Sequence, residues 1–316
     1  MKIILTGGAG FIGSHVADAY IKAGHRVVVI DNISTGFRKN VNPRAKFYKA
    51  DIRDRAAMDR IFKKERPDIV NHHAALAEVA KSLHDPIPTL ETNVMGTVNV
   101  CLAFGAHGRS GAKRKFIFSS TGGAMYGEPK KLPASEAEAP ATLSPYGLSK
   151  HLGEEIIEFY ARAYDFDYFI FRYANAYGPR QNPKGEAGVV AIFGGLMKAG
   201  RRPVIFGDGT KARDYVYVGD VARANALALR RAQRHFPAKN NAGKMANIGT
   251  GKLVTDREIF EAVARETGFK GKPVHAPYRK GEIYRISLDA RRARKILGWK
   301  PETALREGIR AALRTA

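Results

Sequence analysis

A glycine-rich turn near the N-terminus constrains the fold more than any other feature of this chain. Glycines stand at positions 7, 10 and 13, directly after an apolar run at residues 3–6 and at the start of an amphipathic stretch. Glycine suits such a turn because it adopts unusual dihedral angles and lets the backbone approach a pyrophosphate closely. The following helix would offer free N–H groups and its positive dipole end to the phosphates. Strand, glycine turn and helix in this order predict a dinucleotide-binding unit.

An acidic residue supports this interpretation. Asp31 ends the second predicted strand, 18 residues after Gly13. A carboxylate at that place accepts hydrogen bonds from both ribose hydroxyls and would repel a 2′-phosphate, which favours NAD over NADP. Asp51 and Ile52 follow the third predicted strand and are expected to meet the adenine, although Asp51 could equally be a helix-capping residue.

Apolar runs alternate with amphipathic segments through the first two thirds of the chain. They predict strands at residues 3–6, 27–30, 47–49, 69–71, 116–119 and 168–172, and helices at residues 12–22, 55–64, 88–107 and 146–164. This alternation predicts an α/β fold with a doubly wound parallel sheet of the Rossmann type. From about residue 178 the pattern becomes irregular. We therefore expect a Rossmann domain over residues 1–177 that binds NAD, and a smaller substrate-binding lobe over residues 178–316 with some segments returning to the first domain.

The composition limits the classes of partner. Fifty-three Lys and Arg residues against 30 Asp and Glu residues give a formal net charge of +23, but the basic residues are spread along all 316 positions. We therefore expect no nucleic-acid partner. No uncharged apolar run reaches the roughly 18 residues that cross a bilayer, and the first strand leaves no room for a signal peptide. One cysteine and no Cys/His cluster predict a cytoplasmic protein without a metal site.

Tyr146 and Lys150 form the second informative motif. They stand one turn apart on one face of a predicted helix that begins at Ser144 and Pro145. Tyrosine has an unperturbed pKa of about 10, so it is a poor base at neutral pH unless nearby positive charge stabilises the phenolate. Lys150 can supply that charge, and an oxidised nicotinamide would add to it.

The spacing of this pair is weak evidence on its own. Tyr126 and Lys130 have the same spacing, but Pro129 lies between them, so a shared helix face is not expected there.

A hydroxyl cluster strengthens the Tyr146 and Lys150 motif. Ser119, Ser120 and Thr121 end the fifth predicted strand, at the sheet edge where the glycine turn also lies. Thr121 could hydrogen-bond the substrate oxygen whose proton Tyr146 removes, or it could be an ordinary strand-end hydroxyl that caps the loop.

These parts in this order resemble the extended short-chain dehydrogenase/reductases, the NAD-dependent epimerase/dehydratase family. The resemblance covers nearly the whole chain, with further matches at residues 71–75, 92–97, 171–180, 213–221 and 247–251. It implies that Tyr146 is the catalytic base, that Lys150 holds the nicotinamide ribose and lowers the tyrosine pKa, and that Thr121 is the substrate-side hydroxyl. The NAD-binding residues that it implies are Gly7, Gly10, Phe11, Ile12, Gly13, Asp31, Asn32, Asp51, Ile52, Ala74, Asn93, Ser119, Tyr146, Lys150 and Tyr173.

The resemblance also implies a nucleotide-sugar site. Asn175 would contact the sugar diphosphate, and Val190 with Phe206 would border the uracil. Arg213 and Arg279 would clamp the pyrophosphate, since a guanidinium fork matches phosphate oxygens, although each could also be one of many surface cations. Glu282 stands where the family has an acidic residue that meets the uridine ribose.

Within the family the chain is most similar to enzymes that interconvert UDP-glucose and UDP-galactose. The implied reaction removes a hydride from the sugar C4 onto tightly bound NAD and returns it to the opposite face of a 4-keto sugar. Gly122 and Gly123 follow Thr121, where related dehydratases carry an acidic pair, which favours epimerisation over dehydration or decarboxylation. Ile286 is aligned with the position that borders the sugar C2 substituent.

Several alternatives stay open at this point. The substrate could be a UDP-N-acetylhexosamine, a UDP-uronic acid, a UDP-pentose or a dTDP sugar, or the chain could modify a nucleotide sugar in another way. A non-catalytic NAD-binding protein that holds nucleic acid is a further alternative. The resemblance implies a homodimer in which residues 88–107 and 146–164 of each subunit form a four-helix bundle.

Overall fold

The computed structural model of the chain describes residues 1–109, 114–183, 185, 188–231, 244–279 and 281–314. Its strands are β1 (Lys2–Thr6), β2 (Arg26–Asp31), β3 (Lys46–Lys49), β4 (Ile69–His72), β5 (Lys115–Thr121), β6 (Asp167–Tyr173), β7 (Asn175–Tyr177), β8 (Val204–Phe206), β9 (Ala212–Arg213), β10 (Tyr215–Tyr217), β11 (Met245–Ile248), β12 (Val254–Thr255), β13 (Val274–Ala276) and β14 (Arg285–Ile286). Its helices are α1 (Phe11–Lys22), α2 (Arg55–Glu65), α3 (Val79–His84), α4 (Ile87–Leu90), α5 (Gly96–His107), α6 (Pro145–Tyr164), α7 (Val189–Lys198), α8 (Val218–Arg231), α9 (Asp256–Thr267), α10 (Arg291–Leu297) and α11 (Leu305–Arg314).

The central sheet has seven parallel strands in the order β3-β2-β1-β4-β5-β6-β11. The strand order reverses between β1 and β4, and ligands of such sheets bind beyond the carboxyl ends of the strands at that point. The predicted doubly wound sheet is therefore confirmed. The six predicted strands are present, and the seventh, β11, pairs with β6 at the sheet edge and was not predicted.

Strands β1 and β2 are buried on both faces because helices cover the sheet on each side. Ile3 and Leu5 point into one core layer and Ile4 into the other, as alternation along a strand requires. Helices α1 and α8 pack together on one face, whereas α2, α5 and α6 pack on the other. The strands are thereby fixed in place, and their carboxyl ends form a rigid edge for a site.

The segment predicted as one helix over residues 88–107 is interrupted. A π-helical turn at Glu91–Met95 separates α4 from α5. Gly96 then packs so closely that a Cβ there would lie 2.5 Å from Cδ1 of Ile52. Such turns are frequent at functional sites, and here Asn93 is buried towards the loop that follows β4.

The later part of the chain forms three small sheets, which are β7 with β10, β8 with β13, and β12-β9-β14. Helices α7, α9 and α11 pack around a separate apolar cluster that includes Phe193, Phe260 and Ile309. Across the described part of the chain, no helix has both the length and the apolar character to span a membrane.

Candidate active site

The glycine turn after β1 is closed to side chains. A Cβ at Gly13 would lie 2.2 Å from the carbonyl oxygen of Gly7, and one at Gly7, where φ is +73°, would lie 2.5 Å from the Ala74 nitrogen. Gly10 is the N-cap of α1, and no side chain among the described residues caps the helix. The first amides of α1 therefore remain available to an anion, and the bare turn fits the pyrophosphate of a dinucleotide.

Asp31 supports the turn and also faces the open space above it. Its Oδ2 accepts a hydrogen bond from the Ala9 amide at 2.9 Å, and its Oδ1 accepts one from the Ile33 amide at 2.8 Å. A carboxylate oxygen has a second lone pair, so both oxygens can still accept from ribose hydroxyls. The side chain of the neighbouring Asn32 donates through Nδ2 to Oδ2 of Asp51 at 3.0 Å.

Helix α6 begins as the sequence predicts and carries Lys150 to the end of β5. The hydroxyl of Ser144 caps it by accepting from the Gly147 amide at 3.1 Å, and Pro145 occupies the first turn. Lys150 is 4% exposed, and its Nζ donates to the Ser119 carbonyl at 2.8 Å. Burial lowers the pKa of Lys150 to about 7, and the Glu154 carboxylate acts in the opposite direction.

Tyr146 lies in the same buried region as Lys150. Burial raises the pKa of Tyr146 to about 12, and the Thr121 side chain opposes this shift by hydrogen bonding. The Thr121 hydroxyl accepts from the Ala124 amide at 3.1 Å and therefore keeps its own proton for another oxygen. Thr121 thus caps the loop and faces Tyr146 at the same time, so its two predicted roles are compatible.

One continuous cavity of about 1390 Å³ joins the glycine turn, the Tyr146 and Lys150 pair and the later part of the chain. Pockets for a single small ligand measure roughly 300–1000 Å³. The cavity therefore has room for two ligands. All of the predicted site residues line it except Asp51, Asn93 and Ile286.

Asn93 contacts the protein itself. Its side chain accepts from the Leu76 amide at 2.8 Å and donates to the Leu76 carbonyl at 2.9 Å and to Oγ of Ser149 at 2.9 Å. These bonds connect the loop after β4 to α6. Asn93 therefore holds a part of the cavity wall in place without lining the cavity itself. Direct contact of Asn93 or Asp51 with a cofactor stays a prediction.

The far end of the cavity carries the two predicted arginines. Arg213 donates through Nη1 to the carbonyls of Ala212 at 3.1 Å and Tyr284 at 3.0 Å, which leaves other guanidinium donors for a ligand. Burial lowers the pKa of Arg213. The Arg279 guanidinium lies 3.6 Å from the centre of the Phe206 ring.

Two charged residues at this end of the cavity, Lys211 and Asp256, were not predicted. Lys211 lines the cavity, forms an ion pair with Glu282 and lies 3.4 Å from the Asp256 carboxylate. Glu282 is therefore partly neutralised by Lys211. Nothing in the sequence distinguished Lys211 from the other basic residues.

The structure corrects the position of Ile286. This side chain is 1% exposed in the main core and does not line the cavity, because β14 pairs with β9 and turns it inward. Ile283 is the isoleucine of this segment that lines the cavity.

His73 is a further cavity residue that was not among the predicted site residues. Its ring stacks on Tyr173 with 6.1 Å between centroids, and burial lowers its pKa to about 3, with Lys150 adding to the effect. His73 is therefore neutral at physiological pH. Among the residues that the structure describes, no group of three His, Cys, Asp or Glu side chains is placed to hold a metal ion.

The sheet, the glycine turn and the paired Tyr146 and Lys150 define an NAD-dependent enzyme. Residues 3–249 match the NAD-dependent epimerase/dehydratase family, and the chain belongs to that family. NAD is therefore its cofactor.

Relatives of known structure share the whole fold. The UDP-glucose 4-epimerase of Thermotoga maritima, solved with UDP-glucose, is 46% identical, with a TM-score of 0.92 over 100% of this chain and 98% of that one. The Thermus thermophilus UDP-glucose 4-epimerase, solved with NAD, is 40% identical with a TM-score of 0.90 over the same shares. A UDP-glucose 4-epimerase of Mycolicibacterium smegmatis is 40% identical over 98% of this chain and 96% of its own length.

Proposed function

We propose that this protein is a UDP-glucose 4-epimerase, which interconverts UDP-glucose and UDP-galactose. The observation that carries the proposal is the single cavity in which the glycine turn, Tyr146 and Lys150, and two arginines face one another. The full-length relatives at 40–46% identity support the same activity.

The loop after β5 supports epimerisation over elimination of water. A Cβ at Gly122 would lie 2.4 Å from Cδ1 of Leu288, and one at Gly123 would lie 3.0 Å from Oδ1 of Asn175. The loop therefore has little space for the acidic side chains that a dehydratase carries there.

In the proposed reaction Tyr146 takes the proton of the sugar O4 hydroxyl. Bound NAD would supply the hydride acceptor and donor and, when oxidised, a positive charge in this cavity. The phenol is protonated in the chain alone, so it needs such nearby positive charge to act as a base. Lys150 contributes charge from its fixed position against the Ser119 carbonyl. Thr121 directs its free proton at the reacting oxygen.

The nucleotide end of the substrate is proposed to bind between the later elements. Arg213 and Arg279 would hold the diphosphate, a role for which the guanidinium fork is suited. Asn175 would contact the sugar diphosphate, and Glu282 would accept from the uridine ribose. Val190 and Phe206 would border the uracil.

The activity is tested by incubating the purified protein with UDP-galactose without added NAD and separating the products by chromatography. We expect an equilibrium mixture with UDP-glucose, because the cofactor is regenerated in each turnover and stays bound. UDP-N-acetylglucosamine, UDP-glucuronic acid and dTDP-glucose serve as competing substrates. Conversion of one of these without conversion of UDP-galactose would contradict the proposal.

We propose a homodimer formed through α5 and α6, which pack side by side. Leu148, Leu152 and Phe159 project from α6 at spacings of four and seven residues and are 37–57% exposed. Met95, just before α5, and Ile87, the first residue of α4, are also exposed. An apolar stripe of this kind is stabilised when a second copy covers it.

Replacing Phe159 with Glu should convert the dimer to a monomer. The charge would be buried without a partner at the proposed interface, which costs several kcal/mol. Sedimentation velocity measures the change in mass. Val274→Glu, an exposed apolar position on β13, is the matched control and should remain dimeric. A Phe159→Glu variant that sediments like the wild type would contradict this interface.

We further propose that residues 1–177 hold NAD and residues 178–316 mainly hold the nucleotide sugar. The enzyme would act in the cytoplasm, where its single cysteine, Cys101, is buried and stays reduced.

A further inference from the structure

A buried ion pair lies one helical turn beyond Lys150 on α6. Arg172 of β6 donates through Nε to Oε1 of Glu154 at 2.9 Å and through Nη2 to Oε2 at 2.6 Å. Glu154 is 3% exposed and Arg172 is 4% exposed. A bidentate pair of charge-assisted bonds in this environment fixes the position of the carboxylate. Glu154 therefore has little freedom to turn towards solvent or towards another partner.

The same carboxylate is tied to the end of β5. The Ser120 hydroxyl donates to Oε1 of Glu154, and Ser120 stands between Ser119, which accepts from Lys150, and Thr121. Glu154 thus contacts the strand segment that carries the proposed substrate-side hydroxyl.

Arg172 is held on its other side by Tyr126. Its Nη1 donates to the Tyr126 hydroxyl at 3.0 Å, and that hydroxyl donates to Oδ1 of Asn247 at 2.8 Å. Burial raises the pKa of Tyr126 to about 12, so this hydroxyl stays neutral at physiological pH. Tyr126, whose spacing to Lys130 is the same as that of Tyr146 to Lys150, therefore lies at the outer end of this hydrogen-bond network.

Stability alone does not require charges at this place. A buried ion pair can often be replaced by apolar side chains of similar volume without loss of stability, because desolvation of the charges offsets their attraction. Glu154 lies one helical turn from Lys150, so its charge can act on the Lys150 ammonium group.

We propose that Glu154 is a positioning residue for the epimerisation, holding a fixed negative charge one turn from Lys150 so that its ammonium group stays charged and anchored at the end of β5. The inference rests on the proposed function. Arg172 and Ser120 act through Glu154 by fixing where that charge lies.

The other titratable groups around Lys150 do not supply this charge. His72, at the end of β4, and His73, directly after it, have pKa values lowered by burial and by Lys150, so both are neutral at physiological pH. Tyr146, on the same face of α6, has its pKa raised by burial and is protonated in the chain alone. Among the described residues, Glu154 is the carboxylate whose charge raises the Lys150 pKa against the effect of burial.

The test measures kcat/KM for UDP-galactose against pH in the purified enzyme. In Glu154→Gln the ammonium group should lose its proton at lower pH, since the charge that favours it is gone. We expect the alkaline decline in activity to move down by about one pH unit. Glu154→Asp, which keeps the charge, should restore part of the shift.

A double variant separates this effect from a loss of folding. Glu154→Leu with Arg172→Met leaves no unpaired buried charge, so it should fold. Because it removes the Arg172 positive charge together with the Glu154 negative charge, its downward shift should be smaller than that of Glu154→Gln. Glu158→Gln, one turn further along α6 in an ion pair with Arg162, is the matched control and should keep the wild-type profile.

The outcomes distinguish this inference from the proposed function. A wild-type enzyme that converts no UDP-hexose sinks the proposed function itself. An active wild type together with folded Glu154 variants, Glu154→Gln included, that all have the wild-type pH profile, even at reduced rate or thermal stability, overturns the role of Glu154, because a purely structural contact would lower activity at every pH alike.

Discussion

Replacing Tyr146 with Phe should lower kcat by about 10²–10⁴-fold, the range expected when a positioned general base is lost. The substitution removes only the hydroxyl and keeps the aromatic ring. The Thr121 hydroxyl and the Lys150 ammonium group would remain without a base between them. Conversion of UDP-galactose under saturating conditions measures the loss.

The same variant should keep its NAD, because the proposed dinucleotide contacts lie mainly at the glycine turn and Asp31. Release of the cofactor by denaturation, followed by its quantification, checks this. Tyr160→Phe is the matched control, since Tyr160 lies on the same helix, stacks on Tyr164 and does not line the cavity. Near-normal turnover in Tyr146→Phe would remove this residue from the proposed mechanism.

Local sequence signals predicted most of the sheet and the start of α6. Strand β1 and helix α1 follow from an apolar run, a glycine turn and an amphipathic stretch, each of which acts within a few residues. The beginning of α6 follows from Ser144 and Pro145, whose capping chemistry is local. These signals placed Tyr146 and Lys150 correctly on one helix because the spacing itself defines a helix face.

Features that depend on distant parts of the chain were not predicted. Strand β11 is four residues long and is a strand because β6 offers it an unpaired edge, about 75 residues earlier in the chain. The burial of Ile286 depends on the pairing of β14 with β9. The ion pair of Glu154 and Arg172 joins a helix to a strand, and nothing in their sequence spacing indicated it.

The expected consequence of Gly13→Ala is loss of bound NAD, with an affinity lower by about 100-fold. The new Cβ would lie 2.2 Å from the Gly7 oxygen and 2.9 Å from the Gly7 carbonyl carbon, so backbone atoms must move. A displacement of about 1 Å in a binding element can cost roughly 10²-fold in function. The NAD content of the purified protein and calorimetric titration with NAD measure the loss.

A variant at a second glycine distinguishes loss of the NAD-binding turn from general destabilisation. Gly268 ends α9 with φ at +72°, and nothing lies within 4 Å of a Cβ built there. Gly268→Ala should therefore cost about 1 kcal/mol of stability through backbone strain and leave NAD content unchanged.

Millimolar NAD should restore part of the activity of Gly13→Ala by mass action. A Gly13→Ala protein that retains stoichiometric NAD would show that the dinucleotide does not use this turn.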